Sequence, residues 1–228
     1  MRRADALREA AALSAEAGTA RVKEAAARRS FADGAAAWDA WYGAFHSPEG
    51  SDVRALAARL ARGARGGRLL EVGCGDGRLL AALAAVCREV HGADASAAAL
   101  GFARRTVRGL GNVRLKRLTG WRLPYPAGAF DVVVCQRTLH VMDPEAALLT
   151  LREAGRVLRR GGTLRFNLPN FHHAPHLAAL TTPGASPWPS ATRPRFWTVA
   201  MVRSAVPRPG LRVVSLKAGA WLDVVALC

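Results

Sequence analysis

A glycine-rich segment at residues 73–77 is the part of the sequence that most directly suggests chemistry. It reads Gly-Cys-Gly-Asp-Gly and follows the short apolar run Leu-Leu-Glu-Val. Glycines at such a turn let the backbone approach a ligand closely, and the free amides at a helix N-terminus favour a carboxylate or a phosphate. The spacing is GxGxG, whereas the dinucleotide fingerprint GxGxxG needs its third glycine at the position of Arg78. The turn therefore predicts a ligand site to which NAD is poorly suited.

Asp94 supplies a second group for this site. It ends the predicted strand REVHGAD, 19 residues after Gly75, where an acidic side chain can accept hydrogen bonds from both hydroxyls of a ribose. A strand, a glycine-rich turn and this acid together predict a ligand that contains ribose. Two simpler readings remain open: the glycines form an ordinary strand-to-helix turn, or Asp94 caps the next helix, for which Ser96 is at least as good a candidate.

The elements that position these residues alternate between strand and helix from Arg68 onward. Strands are predicted at RLLEV, REVHGAD, VRLKRL, AFDVVVC and TLRFNL. Helices are predicted at GRLLAALAAVC, at SAAALGFARRTVRGL and from Pro144 to Arg159, the last closed by Gly161 and Gly162. A helix near 197–206 precedes LRVVSL and WLDVVALC, which form an antiparallel hairpin. The pattern predicts an α/β fold with a Rossmann-like, doubly wound, mostly parallel seven-stranded sheet and helices on both faces.

Two further regions stand apart from this alternation. Residues 1–30 are Ala-rich and polar and predict a helical arm, followed by a single domain over residues 31–228. Aromatic residues between 31 and 45 predict a helix, and 51–64 predicts a second one. The Pro-rich stretch 169–196 is long for a loop in a compact domain, so it predicts a substrate lid.

Composition excludes several classes of protein. The chain has 228 residues, of which 50% are apolar and 22% charged, so wholesale disorder is excluded. No apolar run reaches the roughly 18 residues of a membrane span, and the N-terminus lacks the apolar core of a signal peptide. Four scattered cysteines indicate neither a disulfide framework nor a zinc site, and we expect a cytoplasmic protein with no bound metal. A net charge of +16, mostly from arginine, favours anionic ligands, although it also matches the drift of a GC-rich genome.

From about Trp38 to Cys228 the chain resembles the class I S-adenosylmethionine-dependent methyltransferases, in particular their UbiE-like small-molecule group (methyltransferase type 11). Four segments carry the resemblance: EVGCGDG, HGADAS, LPYPAGAFDVVVCQRTLHV and RVLRRGGTLRF. The resemblance implies S-adenosyl-L-methionine as cofactor and S-adenosyl-L-homocysteine as product. It implies a methyltransferase domain at 31–228 and leaves the acceptor open.

The resemblance also implies roles for individual residues around the cofactor. The turn residues Gly73, Cys74 and Gly75 would line its methionine end, with Glu71 beneath them. Tyr42, on the helix that often roofs the cofactor in this family, would reach the methionine carboxylate.

The ribose and adenine would meet later segments of the chain. Asp94 would hold the ribose and Ala95 would lie beside the adenine. The main-chain carbonyl of Gln136 would accept a hydrogen bond from the cofactor's amino group. The family's adenine-binding Asp is replaced by Thr119, which can still hydrogen-bond, and Gly120 and Trp121 follow, with Trp121 able to pack on the ring.

The acceptor side of the site is predicted from the segments after the fourth and fifth strands. His140 is the candidate general base, and a packing role for it stays open. The predicted lid contributes six further candidate substrate contacts: His172, His173, His176, Trp188, Arg193 and Arg195. The two arginines could pair with a carboxylate or a phosphate, which makes an anionic acceptor an open possibility.

Three functions are compatible with the sequence. The first is methyl transfer to an O, N or C nucleophile in a small molecule. The second is RNA methylation, motivated by the charge and by the cations from Arg104 to Arg122, although the chain has no appended RNA-binding module and no NPPY-type motif. The third is cofactor binding without catalysis, which rests on Thr119.

Overall fold

The computed structural model describes residues 32–40, 53–64, 66–170, 172, 197–206, 211–219 and 221–228. The predicted N-terminal arm and nearly all of the predicted lid lie outside the described residues. None of the helices within the described ranges has both the length and the apolarity needed to cross a membrane.

The described elements alternate between helix and strand along the chain. The first part holds α1 (32–40), α2 (Val53–Leu60), β1 (Arg68–Val72), α3 (Arg78–Ala84), β2 (Glu89–Asp94), α4 (Ala97–Thr106) and β3 (Val113–Arg117). The second part holds β4 (Phe130–Cys135), α5 (Pro144–Val157), β5 (Leu158–Pro169), α6 (Val199–Ala205), β6 (Arg212–Ala218) and β7 (Trp221–Leu227). A short 3₁₀ turn at Leu139–Val141 lies between β4 and α5.

All seven strands form one sheet in the order β3-β2-β1-β4-β5-β7-β6. The pairs from β3 to β5 are parallel, and β7 runs antiparallel between β5 and β6. The predicted fold, including the antiparallel C-terminal hairpin, is confirmed. The strand order reverses between β1 and β4, and at such a point the carboxyl ends of the strands leave a crevice in which ligands bind.

Each face of the sheet is covered by its own hydrophobic core. Because side chains alternate along a strand, Leu69 and Leu70 of β1 enter opposite cores. The core on one face includes residues of α2, α3 and α4, and the core on the other face includes residues of α5 and α6. Packing on both faces fixes the positions of the strand ends that carry the candidate site.

The prediction that α5 runs to Arg159 and is closed by glycines is wrong. The helix ends at Val157, and Leu158 is buried and paired with Phe130 as the first residue of β5. Gly161 has a φ of 72°, and a Cβ at Gly162 would collide with the carbonyl oxygen of Arg159. The two glycines therefore permit an irregular start of β5, where the register with β4 shifts, and do not cap the helix.

Candidate functional site

The glycine-rich turn crosses the carboxyl ends of β1 and β2. Gly73, Gly75 and Gly77 have φ values of 74°, 55° and 80°, in the left-handed region that favours glycine. The amide of Gly73 donates to the carbonyl of Ala93 at 2.7 Å, which ties the turn to the end of β2. A Cβ at Gly73 would overlap the side chain of Thr138. Because Gly73 has no side chain, the segment after β4 can pack against the turn.

The Asp94 carboxylate fixes the position of the turn. Its Oδ2 accepts the N–H of Gly75 at 2.8 Å, and its Oδ1 accepts the N–H of Ser96 at 2.9 Å. Burial raises the pKa of Asp94 from its ordinary value, and these backbone donors oppose the rise. A carboxylate oxygen that accepts one hydrogen bond keeps a second lone-pair direction, so both oxygens can still accept from a ligand. The N-cap of α4 is Ser96, whose Oγ accepts the N–H of Ala99.

Helix α1 is held over this site by Asp39. Its Oδ1 accepts hydrogen bonds from the Ser96 hydroxyl and, at 3.0 Å, from the N–H of Ala98. Burial raises the pKa of Asp39, but these bonds and the nearby Arg117 outweigh it, and the pKa lies below its ordinary value. The ionised carboxylate therefore anchors α1 at the N-terminus of α4.

A cavity lies at the point where the strand order reverses, between α1 and the ends of β1, β2 and β4. Four of the predicted cofactor residues line it: Gly73, Gly75, Asp94 and Ala95. Most of the remaining walls are apolar. They come from α1, from the residue after β3, from the segment that joins β4 to α5 and from the first turn of α5: Gly34, Ala35, Trp38, Leu118, Val141, Met142 and Ala146. The cavity thus has a polar floor with Asp94 at one side and apolar walls around it.

Glu71 lies beneath the turn and does not line the cavity. It is only 3% exposed, and its Oε2 is buried without a hydrogen-bond partner. Burial, followed by the nearby carboxylates of Asp94 and Asp76, raises the pKa of Glu71 well above its ordinary value. Burial and the neighbouring carboxylates therefore favour the neutral form of Glu71 beneath the predicted methionine site.

Other predicted cofactor residues approach the cavity less closely. The side chain of Cys74 is buried in the core on the α2 side of the sheet. Thr119, Gly120 and Trp121 follow Leu118, which is the residue of that loop that lines the cavity. The Gln136 side chain lines a separate groove, and its main-chain carbonyl accepts a hydrogen bond from the Thr138 hydroxyl at 2.9 Å.

The structure does not bring His140 to the cavity wall. Its ring is fully buried and meets the edge of the Trp221 ring with centroids 5.3 Å apart. Burial, and then the positive charge of Arg137, lowers the pKa of His140 to about 4. The imidazole is therefore neutral at physiological pH and lies among packed side chains.

Among the predicted substrate residues, only His172 is described, and its N–H donates to Asn170 Oδ1 at 3.1 Å. Six predicted site residues lie outside the described part of the chain: Tyr42, His173, His176, Trp188, Arg193 and Arg195. Across the described ranges, no three His, Cys, Asp or Glu side chains converge in a group suited to a metal ion.

Sequence reasoning missed Arg137, which lines the cavity just after β4. Its φ of 51° is the one left-handed value among the described non-glycine residues, and its N–H donates to Asn167 Oδ1 at 2.7 Å. The guanidinium lies over the Trp221 ring, 5.5 Å from its centroid. Backbone strain of this kind clusters at ligand sites. The position of Arg137 just after β4 could have marked it as a candidate site residue. Its contacts with Asn167 and Trp221 could not, because both residues are distant in sequence.

Comparison with known proteins finds similarity to methyltransferases. Residues 69–162 match a family model described as a methyltransferase domain. Over 122 residues the chain is 34% identical to the ubiquinone biosynthesis O-methyltransferase of Azoarcus sp., covering 52% of this chain and 51% of that protein. It is also 34% identical to YcgJ of Bacillus subtilis, named an uncharacterized methyltransferase, over 47% of this chain and 42% of that protein. The chain thus spans about half the length of these relatives.

Solved structures show the same fold. A SAM-dependent methyltransferase from Aquifex aeolicus superposes with a TM-score of 0.61 at 20% identity, covering 77% of this chain and 89% of that one. The YcgJ structure superposes with a TM-score of 0.56 at 21% identity, covering 72% and 71%. The predicted resemblance is confirmed: residues 69–162 match a methyltransferase domain, and the fold is that of solved S-adenosylmethionine-dependent methyltransferases.

Proposed function

We propose that this protein transfers a methyl group from S-adenosylmethionine to a nucleophile, most favourably an oxygen, on an anionic small molecule. The observation that carries the proposal is the Asp94 carboxylate. It is bonded to the Gly75 amide at 2.8 Å and faces a cavity at the reversal of strand order. The match to a methyltransferase domain and the named O-methyltransferase relatives support the reaction type.

The residues of the cavity suit the cofactor. Asp94 offers two acceptors to the ribose hydroxyls, and Ala95 and Leu118 offer an apolar surface to the adenine. Thr119, Gly120, Trp121 and the Gln136 carbonyl remain proposed contacts. The left-handed turn at Gly73 and Gly75 lets a ligand approach the backbone. Glu71, buried beneath the turn, remains a proposed neighbour of the methionine end.

Methyl transfer depends mainly on the alignment of the acceptor with the methyl group of the cofactor. The cofactor supplies an already activated methyl group, so holding the acceptor in line with it provides much of the rate. The apolar cavity walls contribute by excluding water from the acceptor. Trp38 from α1 and Met142 from the segment before α5 are two of the side chains that form those walls.

Arg137 gives the site a preference for acceptors with negative charge. Arg137 is one of the residues that line the cavity, and within the described residues its side chain forms no ion pair with an acid. A nearby cation stabilises the ionised form of a phenol or a carboxylic acid, and an ionised oxygen is the better nucleophile. Its bond from the main-chain N–H to Asn167 and its contact with Trp221 hold the cation in place while leaving its N–H groups available.

Replacing Asp94 tests the cofactor site. We expect Asp94→Asn to weaken binding of S-adenosylhomocysteine by about 2 kcal/mol, or roughly 30-fold, because charge-assisted hydrogen bonds to the ribose are lost. Calorimetric titration measures the change, and urea unfolding checks that the variant is folded. Asp33 is an exposed residue of α1 beside the cavity. Asp33→Asn makes the same change of charge, so we expect it to bind S-adenosylhomocysteine as wild type does. An analogue without ribose hydroxyls should lose less affinity on Asp94→Asn than S-adenosylhomocysteine does, because only the loss of the turn's hydrogen bonds affects it. Equal affinity of wild type and Asp94→Asn for S-adenosylhomocysteine would contradict the assignment.

Replacing Glu71 tests the buried carboxyl. Its raised pKa means that, above its ordinary value of 4.5, the unfolded chain loses this proton while the folded protein keeps it. Wild-type stability therefore falls as pH rises from about 4.5 towards the folded-state pKa, by about 1.4 kcal/mol for each unit of the shift that is crossed. Glu71→Gln has no such proton to lose. We therefore expect the free energy of unfolding of Glu71→Gln minus that of wild type to increase from pH 4.5 to 7.5.

Urea unfolding across this pH range, without cofactor, measures the difference. Glu145→Gln is the control because that carboxyl, in the first turn of α5, reaches solvent. A relative stability of Glu71→Gln that stays flat or falls with pH would show that Glu71 is ionised in the folded protein.

Replacing Arg137 tests the acceptor class. Methylation of an ionised oxygen removes its charge, so the small molecules of a cell extract are divided on an anion-exchange resin before the reaction. Labelled methyl groups from the cofactor should then enter the fraction that the resin retained. We expect Arg137→Gln to reduce this labelling about 10-fold or more, since a charge-assisted contact is lost, while affinity for S-adenosylhomocysteine is unchanged. Arg122→Gln, an exposed arginine outside the cavity lining, is the matched control. Labelling confined to the fraction that the resin did not retain, or labelling that Arg137→Gln leaves intact, would refute an anionic acceptor.

A further inference from the structure

A second concave surface lies on the α2 face of the sheet, away from the cofactor cavity. Its floor is formed by β5, β7 and β6, and its wall by the C-terminal end of α2 and the residues just after it. We call this surface the cationic groove because four basic side chains line it: Arg59, Arg62, Arg165 and Lys217. Its volume of about 330 Å³ is far above the roughly 10–15 Å³ that one water requires, so it has room for a solvated anion.

The groove and the cofactor cavity have different linings. No residue lines both, and two neighbouring residues after β4 line different surfaces. Gln136 lines the groove, whereas Arg137 lines the cavity. An occupant of the groove therefore contacts a different set of residues from a ligand at the Asp94 site.

A β-bulge in β6 directs Lys217 into the groove. Val213 pairs with Ala226, but Ser215 pairs with Val225, so Val214 is an extra residue in the ladder and is 42% exposed. Side chains alternate between faces, and without the extra residue Lys217 would fall on the α5 side of the sheet. The bulge instead places Ser215 and Lys217 on the groove side, opposite Val225 and Asp223. Bulges that redirect side chains are common beside functional sites.

The basic side chains of the groove outnumber its acidic ones. Asp223 is the one acidic residue among the described groove residues, and it pairs with Arg59 at 3.5 Å. Arg165, in the middle of β5, donates to the main-chain carbonyl of Arg62 at 3.2 Å. Burial, followed by the charges of Arg62 and Arg59, lowers the pKa of Arg165 below its ordinary value. Like charges gathered on one concave surface oppose each other, and a bound anion would relieve that repulsion.

We propose that the cationic groove binds a phosphate group. Arginine guanidiniums match phosphate oxygens with paired hydrogen bonds, a lysine adds a point charge, and Ser215 and Gln136 supply neutral donors. An anion with several oxygens uses more of these donors than a single carboxylate does. The phosphate group can belong to a phosphorylated small molecule or to an RNA backbone. The two sources differ in which groups besides the phosphate contact the protein.

Calorimetric titration with inorganic pyrophosphate at near-physiological salt tests the groove. We expect wild type to bind one equivalent, and the double variant Arg165→Gln with Lys217→Gln to bind at least about 10-fold more weakly. The matched control is Arg104→Gln with Arg108→Gln, two exposed arginines near the end of α4 that remove the same charge. The control should bind within about twofold of wild type if the groove is the site, because general attraction to a polycation would weaken both double variants equally.

Two further arms separate the sources of the phosphate. Ribose phosphate and a short single-stranded RNA are each titrated into the same three proteins. Loss of ribose phosphate binding in the groove variant identifies a small-molecule ligand, and loss of RNA binding with a steep salt dependence identifies a backbone contact. Equal weakening in groove and control variants, or no pyrophosphate binding by wild type, would overturn the proposal. Affinity for S-adenosylhomocysteine should stay the same in all three proteins, so the result is independent of the cofactor site.

Discussion

The hydrogen bond from the Gly75 amide to the Asp94 carboxylate is the interaction on which the candidate site depends. It joins the end of β2 to the turn that leaves β1, so two strand ends and the start of α3 become one rigid unit. The same carboxylate accepts the N–H of Ser96, which caps α4 and binds Asp39 of α1. One side chain thus sets the positions of the floor, one wall and the roof of the cavity.

This arrangement constrains which residues the turn can contain. Gly73 must lack a side chain because Thr138 packs against it, and the left-handed backbone at Gly75 and Gly77 disfavours any residue with a Cβ. The close packing in turn holds Arg137 at the cavity in a strained conformation, stabilised by Asn167 from β5. The geometry of the turn therefore also sets the position of Arg137 at the cavity.

The parts of this site that the sequence predicted are those that depend on local patterns. Alternating strands and helices predicted the sheet, and the turn and Asp94 follow from residue types at fixed spacing within one strand–helix–strand unit. Arg137 was missed because its strain and its partners Asn167 and Trp221 arise from pairing with β5 and β7. The early end of α5 and the bulge at Val214 were missed for the same reason, since strand pairing outweighed local propensity there.

A crystal structure of the protein with S-adenosylhomocysteine tests the central claim most directly. The account predicts both ribose hydroxyls within about 2.6–3.2 Å of the Asp94 carboxylate oxygens, and the homocysteine end against the turn at Gly73 and Gly75. A ligand bound elsewhere, or one in the cavity whose ribose does not contact Asp94, would contradict it.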